Sequence, residues 1–251
     1  MRFTFVFIDN HFAILICPTT VNLTGYYRHE RRQCWRIVIV STAPNYYQLV
    51  RRDVFPLLEG PLGRLLDVGG GVGATSAALR REGRASYAML LDRVADGAVD
   101  GIDDALAGNL EDPAFLGQAV AKGAPFDTII CLDVLEHLHD PWAVVAALHR
   151  GLAPGGALVV SVPNVNYIGL VGPLVLRGRF DLTDAGVMDR THLRWFARHG
   201  AIDLATGSGL VLERVQANVY GRFKRALDTV TLGLLTRFLA AQYVVRARRP
   251  A

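Results

Sequence analysis

Four short constellations in this 251-residue chain bring together residue types that do chemistry. The first is Asp67-Val-Gly-Gly-Gly-Val-Gly-Ala, in which Gly69, Gly71 and Gly73 leave the backbone bare. Bare backbone lets a ligand approach closely, and a helix starting just after such a loop adds a partial positive charge. The second is Asp92, whose carboxylate offers two acceptor oxygens to two neighbouring hydroxyls. The third is Asp133-Val-Leu-Glu136-His137, two carboxylates and an imidazole close in sequence. An imidazole that titrates near neutrality suits removal of a hydroxyl proton, and hard oxygen ligands suit magnesium. The competing role for His137 is to order its own loop. The fourth is His192, in the run Asp189-Arg-Thr-His-Leu-Arg-Trp-Phe.

These groups need a frame that brings them together. Arg64–Val68 reads as a short strand running into the glycine loop, and Ala74–Arg81 as the helix after it, closed by Gly83. Ser86–Leu91 is a second strand ending at Asp92, and a weak third lies near residues 105–110. Phe126–Leu132 is a fourth, followed by a helix with Asp140 at the N-cap, Pro141 at its first position, Arg150 in its last turn and Gly151 past its end. Ala157–Val162 is a fifth strand after Pro154-Gly155-Gly156. Beyond an irregular stretch, 163–196, come a helix over Arg198–Thr206 and a strand over Leu210–Val215. An amphipathic helix over Phe223–Ala240, striped by Phe223, Leu227, Val230, Leu234 and Phe238, and a strand over Gln242–Arg248 complete the pattern. Strands alternating with helices imply an α/β fold with a parallel sheet covered on both faces. Ligands in such sheets bind at the carboxyl ends of the strands, so Gly69–Gly73, Asp92, Asn109 and Asp133–His137 converge on one rim.

The start of the chain has a different texture. Residues 3–8 and 12–16 read as a hairpin, and Trp35–Val40 as another strand. Tyr46–Leu58 has helical spacing, with Val50, Val54 and Leu57 on one face. Residues 1–44 are therefore read as an extension of unknown role and 45–251 as the main domain, with 163–196 as an insertion covering the acceptor. Charge is unevenly spread: residues 1–52 carry +5, 53–140 carry −9 and 141–251 carry +8. The acidic middle suits a cationic ligand and the basic end an anionic one. With 51% hydrophobic residues and 20% charged, disordered and coiled-coil classes fit poorly. No stretch reaches the roughly 20 apolar residues that span a bilayer, and three unpaired-looking cysteines suit a reducing cytoplasm.

The glycine loop admits two readings. As Gly69-x-Gly71-x-x-Ala74 it fits a dinucleotide fingerprint; as Asp67-x-Gly69-x-Gly71-x-Gly73 it fits an S-adenosylmethionine loop. Downstream runs favour the second. Phe126-Asp-Thr-Ile-Ile-Cys-Leu-Asp-Val-Leu-Glu-His-Leu-His-Asp-Pro-Trp and Leu152-Ala-Pro-Gly-Gly-Ala-Leu-Val-Val-Ser-Val-Pro-Asn resemble the fourth-strand and fifth-strand segments of class I S-adenosylmethionine-dependent methyltransferases. The block around His192 resembles one found in a subgroup with small or sugar-like acceptors. The resemblance covers roughly residues 45 to 248 and implies a Rossmann-like, doubly wound, mostly parallel sheet with an antiparallel last strand.

The resemblance also implies roles. Asp67, Gly69, Gly71 and Gly73 would hold the methionine portion of the cofactor, and Asp92 both ribose hydroxyls. Gly108-Asn109-Leu110-Glu111 looks like the stretch that meets adenine, with Asn109 in place of an acid. Gly70 stands where the family often has Cys, a harmless departure. Asp133 would contact the adenosine edge. Ubiquinone-pathway O-methyltransferases carry an acid-x-x-Glu-His set that can hold a divalent metal, which Asp133, Glu136 and His137 match; the favoured reading leaves the metal out and makes His137 the base. His192 would touch an acceptor of small-molecule, sugar or glycan type, and Arg177, Arg179, Arg190 and Arg194 would meet an anionic group on it. The methyl would pass to oxygen or nitrogen, leaving S-adenosylhomocysteine.

Two other classes remain open on sequence. One is a nicotinamide-dependent reductase, which lacks support because neither Lys122 nor Lys224 sits in a Tyr-x-x-x-Lys pair. The other is a non-catalytic module that docks on a partner or membrane surface through 223–240, although such a stripe more often packs on its own sheet. No basic stretch interleaved with aromatics points to nucleic acid.

Overall fold

The computed structural model describes the backbone of Arg2–Ile8, His11–Cys17 and Arg36–Val40 and all of residues 49–251. The chain divides into two units, Met1–Leu49 and Val50–Ala251. In the first, β1 (Arg2–Ile8), β2 (His11–Cys17) and β3 (Arg36–Val40) form an antiparallel sheet in the order β1-β2-β3. The first two pair from Arg2↔Cys17 to Ile8↔His11, as the hairpin reading expects. Most of residues 17–34, with Tyr46 and Tyr47, lie outside the described residues.

The second unit holds a seven-stranded sheet. Its strands are β4 (Gly63–Val68), β5 (Ala85–Asp92), β6 (Asp104–Ala107), β7 (Phe126–Leu132), β8 (Leu152–Pro163), β9 (Val211–Asn218) and β10 (Gln242–Arg248). They lie in the order β6-β5-β4-β7-β8-β10-β9. The first five are mutually parallel, and β10 runs antiparallel to both of its neighbours. The expected doubly wound sheet with an antiparallel last strand is present.

Alternation across this sheet buries both faces. Leu66, Ile129, Val160 and Val245 face one core; Leu65, Ile130, Val159 and Val244 face the other. Adjacent residues are thus both apolar, as a sheet covered on both sides requires. One side is closed by α2 (Pro113–Gly123), α3 (Pro141–Gly151) and α5 (Arg198–Thr206), through Leu116, Val144 and Leu204. The other is closed by Leu79 of α1 (Ala74–Arg81) and by Val54, Leu57 and Leu58.

Several elements depart from the sequence reading. The helical spacing of 46–58 yields, where described, only a 3₁₀ turn over Arg52–Leu57, with Pro56 inside it. Helix α2 was not expected, although Asp112-Pro113 repeats the Asp140-Pro141 signal and the Asp112 carboxylate accepts from Ala114 N–H at 2.9 Å. Gly151 ends α3 from within. Its need is space rather than a left-handed φ, since a Cβ there would come within 2.4 Å of Val120 Cγ1. The stretch 163–196 is not wholly irregular: it contains α4 (Ile168–Arg177). The single helix expected over 223–240 is two, α6 (Arg222–Val230) and α7 (Thr236–Leu239), parted where Leu232 and Gly233 take positive φ.

Candidate functional site

Strand register sets the site. Val68 pairs with Cys131, Leu132 with Ser161, Pro163 with Gln242, and Gln242 with Asn218. The carboxyl ends of β4, β7, β8 and β9 and the start of β10 therefore share one rim. The glycine loop leaves β4 there, pinned by Gly69 N–H to Leu91 O at 2.7 Å. Gly69, Gly71 and Gly73 all have positive φ. At Gly69 an added Cβ would meet Val134 at 2.3 Å, and at Gly73 it would meet Ile102 at 2.8 Å. The glycines thus serve both the turn and the close approach of neighbouring side chains. Gly70 is more than a harmless departure, because its Cβ would fall 2.4 Å from the Asp67 carboxylate.

Asp67 is buried, and its Oδ2 accepts from Ser76 Oγ at 2.7 Å at the start of α1. Burial pushes its carboxyl up to about 6, with the nearby Asp92 charge adding to the rise and the Ser76 hydrogen bond opposing it. Asp92 Oδ2 accepts from Gly71 N–H at 2.8 Å, and Oδ1 from Val94 N–H at 2.9 Å. Each oxygen keeps a second lone pair, so the carboxylate is aimed while still able to take two hydroxyls. Next to it, Gly108 N–H donates to Asp92 O at 3.1 Å. Asn109 is exposed and its Oδ1 caps Glu111 N–H at 3.1 Å, while the Leu110 side chain is buried in the core. What Leu110 can offer a ligand is therefore backbone. Asp67, the glycines, Asp92 and Asn109-Leu110 form one continuous arc around the loop.

Asp133 belongs to a different construction. Its φ is +57°, and both carboxylate oxygens are engaged. Oδ1 accepts from Ser161 Oγ at 2.9 Å and from Gln242 Nε2; Oδ2 pairs with Arg51 Nη1. Arg51 also grips Asp53 through Nε and Nη2, both at 2.9 Å, and donates to Gln242 Oε1 at 2.8 Å. Asn218 Nδ2 joins Asp53 Oδ2 at 2.8 Å to Gln242 Oε1 at 3.0 Å. Arg51 N–H reaches Thr75 Oγ1 at 3.1 Å, at the head of α1. Burial opposes the Arg51 charge, but the Asp53 hydrogen bond and the Asp133 charge more than compensate and raise its pKa. This lock was missed on sequence, because its members are up to 191 residues apart and no local pattern links them. Asp133, the first acid of the acid-x-x-Glu-His set, is thus held by Arg51, Ser161 and Gln242.

Past the lock, Leu135–His137 make one 3₁₀ turn. The backbone carbonyl of Glu136 accepts from Leu193 N–H at 2.8 Å and Arg194 N–H at 3.0 Å, which seats the His192 block on this turn. His137 and His192 meet edge to face with ring centroids 4.7 Å apart. His137 Nδ1 lies 3.0 Å from Thr191 Oγ1, whose hydroxyl donates to Asp189 Oδ1 at 2.6 Å. The Thr191 oxygen must then accept from His137, which assigns the proton to Nδ1 and leaves Nε2 with a free lone pair. His192 Nδ1 likewise faces Val187 O at 3.2 Å. Burial, reinforced by His137, lowers the His192 pKa and keeps that ring neutral. His192 is itself buried, at 8% exposure, with its ring against that of His137.

Glu136 is the anomaly. It is 1% exposed and, among the described residues, neither carboxyl oxygen has a hydrogen-bond partner. Burial first, and the Asp133 charge second, push its pKa well up. His192 Nε2 lies 4.0 Å from its Oε1. Glu136, His137 and His192 each present a ligand atom within 4.8 Å of the others. An orphaned buried carboxyl beside two imidazoles fits a divalent cation, with ring N–H groups already turned to protein oxygens as ligating histidines require. Of the four arginines expected to meet an anionic acceptor, Arg179 pairs with Asp181 at 2.6 Å and Arg190 with Asp184 at 2.7 Å. Arg194 donates to Leu193 O and His139 O. These three are engaged within the chain.

A glycine loop after the first strand of this sheet, an acid closing the second and a Glu-His turn beyond the fourth lie on one rim, and comparison with known proteins identifies the family. Residues 39–217 fit the family described as "methyltransferase domain". The chain belongs to the class I S-adenosylmethionine-dependent methyltransferases. It is 36% identical over 105 residues to a ubiquinone biosynthesis O-methyltransferase of Xylella fastidiosa, covering 40% of this chain and 42% of that one. The chain thus spans about two fifths of the length of that curated relative. A protein of the same name from Ralstonia nicotianae is 27% identical over 198 residues, 74% of this chain and 76% of its own. Among solved structures, an S-adenosylmethionine-dependent methyltransferase from Mesorhizobium loti superposes with a TM-score of 0.51 at 20% identity, over 79% of this chain and 99% of that one. Family membership removes the nicotinamide reading of the glycine loop.

Proposed function

We propose that this methyltransferase moves the sulfonium methyl of S-adenosylmethionine to a hydroxyl oxygen of a small-molecule acceptor, of phenolic or sugar type. The observation that carries it is the His137 imidazole, held by the Thr191–Asp189 relay with Nε2 free, on the same rim as the glycine loop and Asp92. The cofactor would lie along the arc from Asp67 to Leu110, its methionine end over Gly69–Gly73 and its ribose on Asp92. The S–CH₃ bond breaks as the O–CH₃ bond forms, the sulfur keeps the electron pair, and His137 Nε2 takes the hydroxyl proton. The protein's part is alignment of the reactants and placement of one base. Preference for oxygen over nitrogen rests on the names of the two relatives, which are O-methyltransferases. The test is a panel of catechols, other phenols and nucleotide sugars with labelled cofactor. Transfer to one class that collapses in His137→Ala supports the reading; transfer only to amines, or none to any class, overturns it.

A second reading is favoured by the orphaned Glu136 carboxyl. In it Glu136, His137 and His192 hold a divalent cation, which would acidify the acceptor hydroxyl. Two imidazoles move the preference from magnesium toward manganese, iron or zinc. Metal analysis of the purified chain after chelator treatment and reloading separates the two: uptake of one equivalent that is lost in Glu136→Gln supports the cation, and chelator-insensitive turnover removes it.

A further inference from the structure

We infer that α4, α6 and the turn after α6 form a docking face for the surface of an anionic lipid bilayer. Helix α6 buries none of its nine residues. Phe223 and Val230, on its apolar stripe, are each 80% exposed, and Leu232 and Leu234 beyond it are 91% and 80% exposed. The stripe therefore does not pack on the sheet, as such stripes ordinarily do. A helix keeps an amphipathic face because something covers it. Leu232 adds a sign of its own: it holds φ +49°, disfavoured for a side chain with a Cβ, yet gains no burial by doing so. Helix α4 presents Val175 and Leu176, 74% and 83% exposed, on its last turn. The two helices start against each other, with the Lys224 ammonium 4.5 Å over the Tyr167 ring at the head of α4. Asn164 Nδ2 donates at 2.8 Å to the carbonyls of Arg237 and Ala240, tying α7 to the same strand end.

Charge selects the occupant. Residues 219–241 carry Arg222, Lys224, Arg225 and Arg237 against the single acid Asp228, which is turned inward to Thr236 Oγ1 at 2.6 Å. Large apolar side chains flanked by cations are what an anionic headgroup layer over acyl chains receives. A second copy of the chain would set these cations against one another. Register places the face beside the site, because α4 follows Pro163 and α6 and α7 lie between Asn218 and Gln242, all on the rim that carries the glycine loop. Helices α6 and α7 lie beyond the segment 39–217 that matches the family, and α4 lies within it. The inference does not depend on the acceptor proposed above.

The test is co-sedimentation of the full chain with phosphatidylcholine vesicles and with vesicles containing phosphatidylglycerol, at low and high salt. Binding at least tenfold stronger to the anionic vesicles, and weakened by salt, is expected. Leu176→Glu with Leu232→Glu should remove it on both compositions, while Arg222→Gln with Arg225→Gln should remove only the anionic preference. Both pairs should keep the melting temperature and the affinity for S-adenosylhomocysteine. Absence of binding to anionic vesicles overturns the inference. So does equal binding to both compositions, or a concentration-dependent dimer in sedimentation velocity that Leu232→Glu dissolves.

Discussion

The two halves of the rim are built in different ways. Around β4 and β5, the groups that would hold the cofactor are set by contacts within one strand–loop unit or between consecutive ones, none of the three that follow spanning more than 21 residues. Asp67 is capped by Ser76, Gly71 donates to Asp92, and Asn109 caps Glu111. Around β7, β8 and β10 the contacts are long-range: Arg51 to Asp133, Gln242 to Arg51, Thr191 to His137. The first half is a short-range motif and the second an assembly. A motif survives as a string of letters, whereas an assembly can change members while keeping its shape.

Breaking the acceptor half at its reacting atom should give the largest effect. His137→Ala should lower turnover by about 10²–10⁴-fold with S-adenosylhomocysteine affinity nearly unchanged. Titration calorimetry beside an activity assay checks the split, and equal loss in both would make His137 a loop-orderer. Next comes the lock. Arg51→Met leaves the half-buried Asp133 and Asp53 carboxylates without their shared cation and should cost about 2–3 kcal/mol of folding stability, the scale of hydrogen bonds lost by charged groups. Denaturant melts measure it; a change under 1 kcal/mol would show that the two halves are not joined through Arg51.

The cofactor half should respond in smaller and more local ways. Asp67 has a folded pKa of about 6 against 3.8 in the unfolded chain. The folded state then holds the extra proton between those values, so the stability linked to Asp67 is full below about pH 4 and is lost as pH rises through 6. The loss is on the order of 2–3 kcal/mol. Asp67→Asn keeps the acceptor for Ser76 and removes the ionisation. The difference between wild-type and variant melting curves should therefore change across pH 4 to 6 and be flat outside it. The smallest effect is at the ribose: Asp92→Ala should weaken S-adenosylhomocysteine binding by about 1–3 kcal/mol. If that variant unfolds the loop instead, circular dichroism of the free chain will show it, and the carboxylate will have been structural.

Much of the frame was legible because it depends on local rules. The alternation of apolar runs fixed the sheet, Asp140-Pro141 fixed α3, and the glycine spacing fixed the loop. Asp112-Pro113 carries the same signal for α2. Other features were open to the wrong reading because one pattern serves two ends. Gly151 looks like a helix stop but is there for contact with Val120, and the 223–240 periodicity describes a helix without saying where Leu232 bends it.

By itself, then, the sequence determined the sheet, the glycine loop and the acid at the carboxyl end of each of the first two strands of that sheet, since these rest on backbone propensity and side-chain spacing along one segment. Tertiary structure alone decided that Asp133 is spent on Arg51, that Glu136 lies buried beside two histidines with no partner, and that the last amphipathic stripe faces outward. Each of these depends on which distant groups share a volume. Burial, ion pairing and exposure belong to that volume, and a linear pattern holds no record of it.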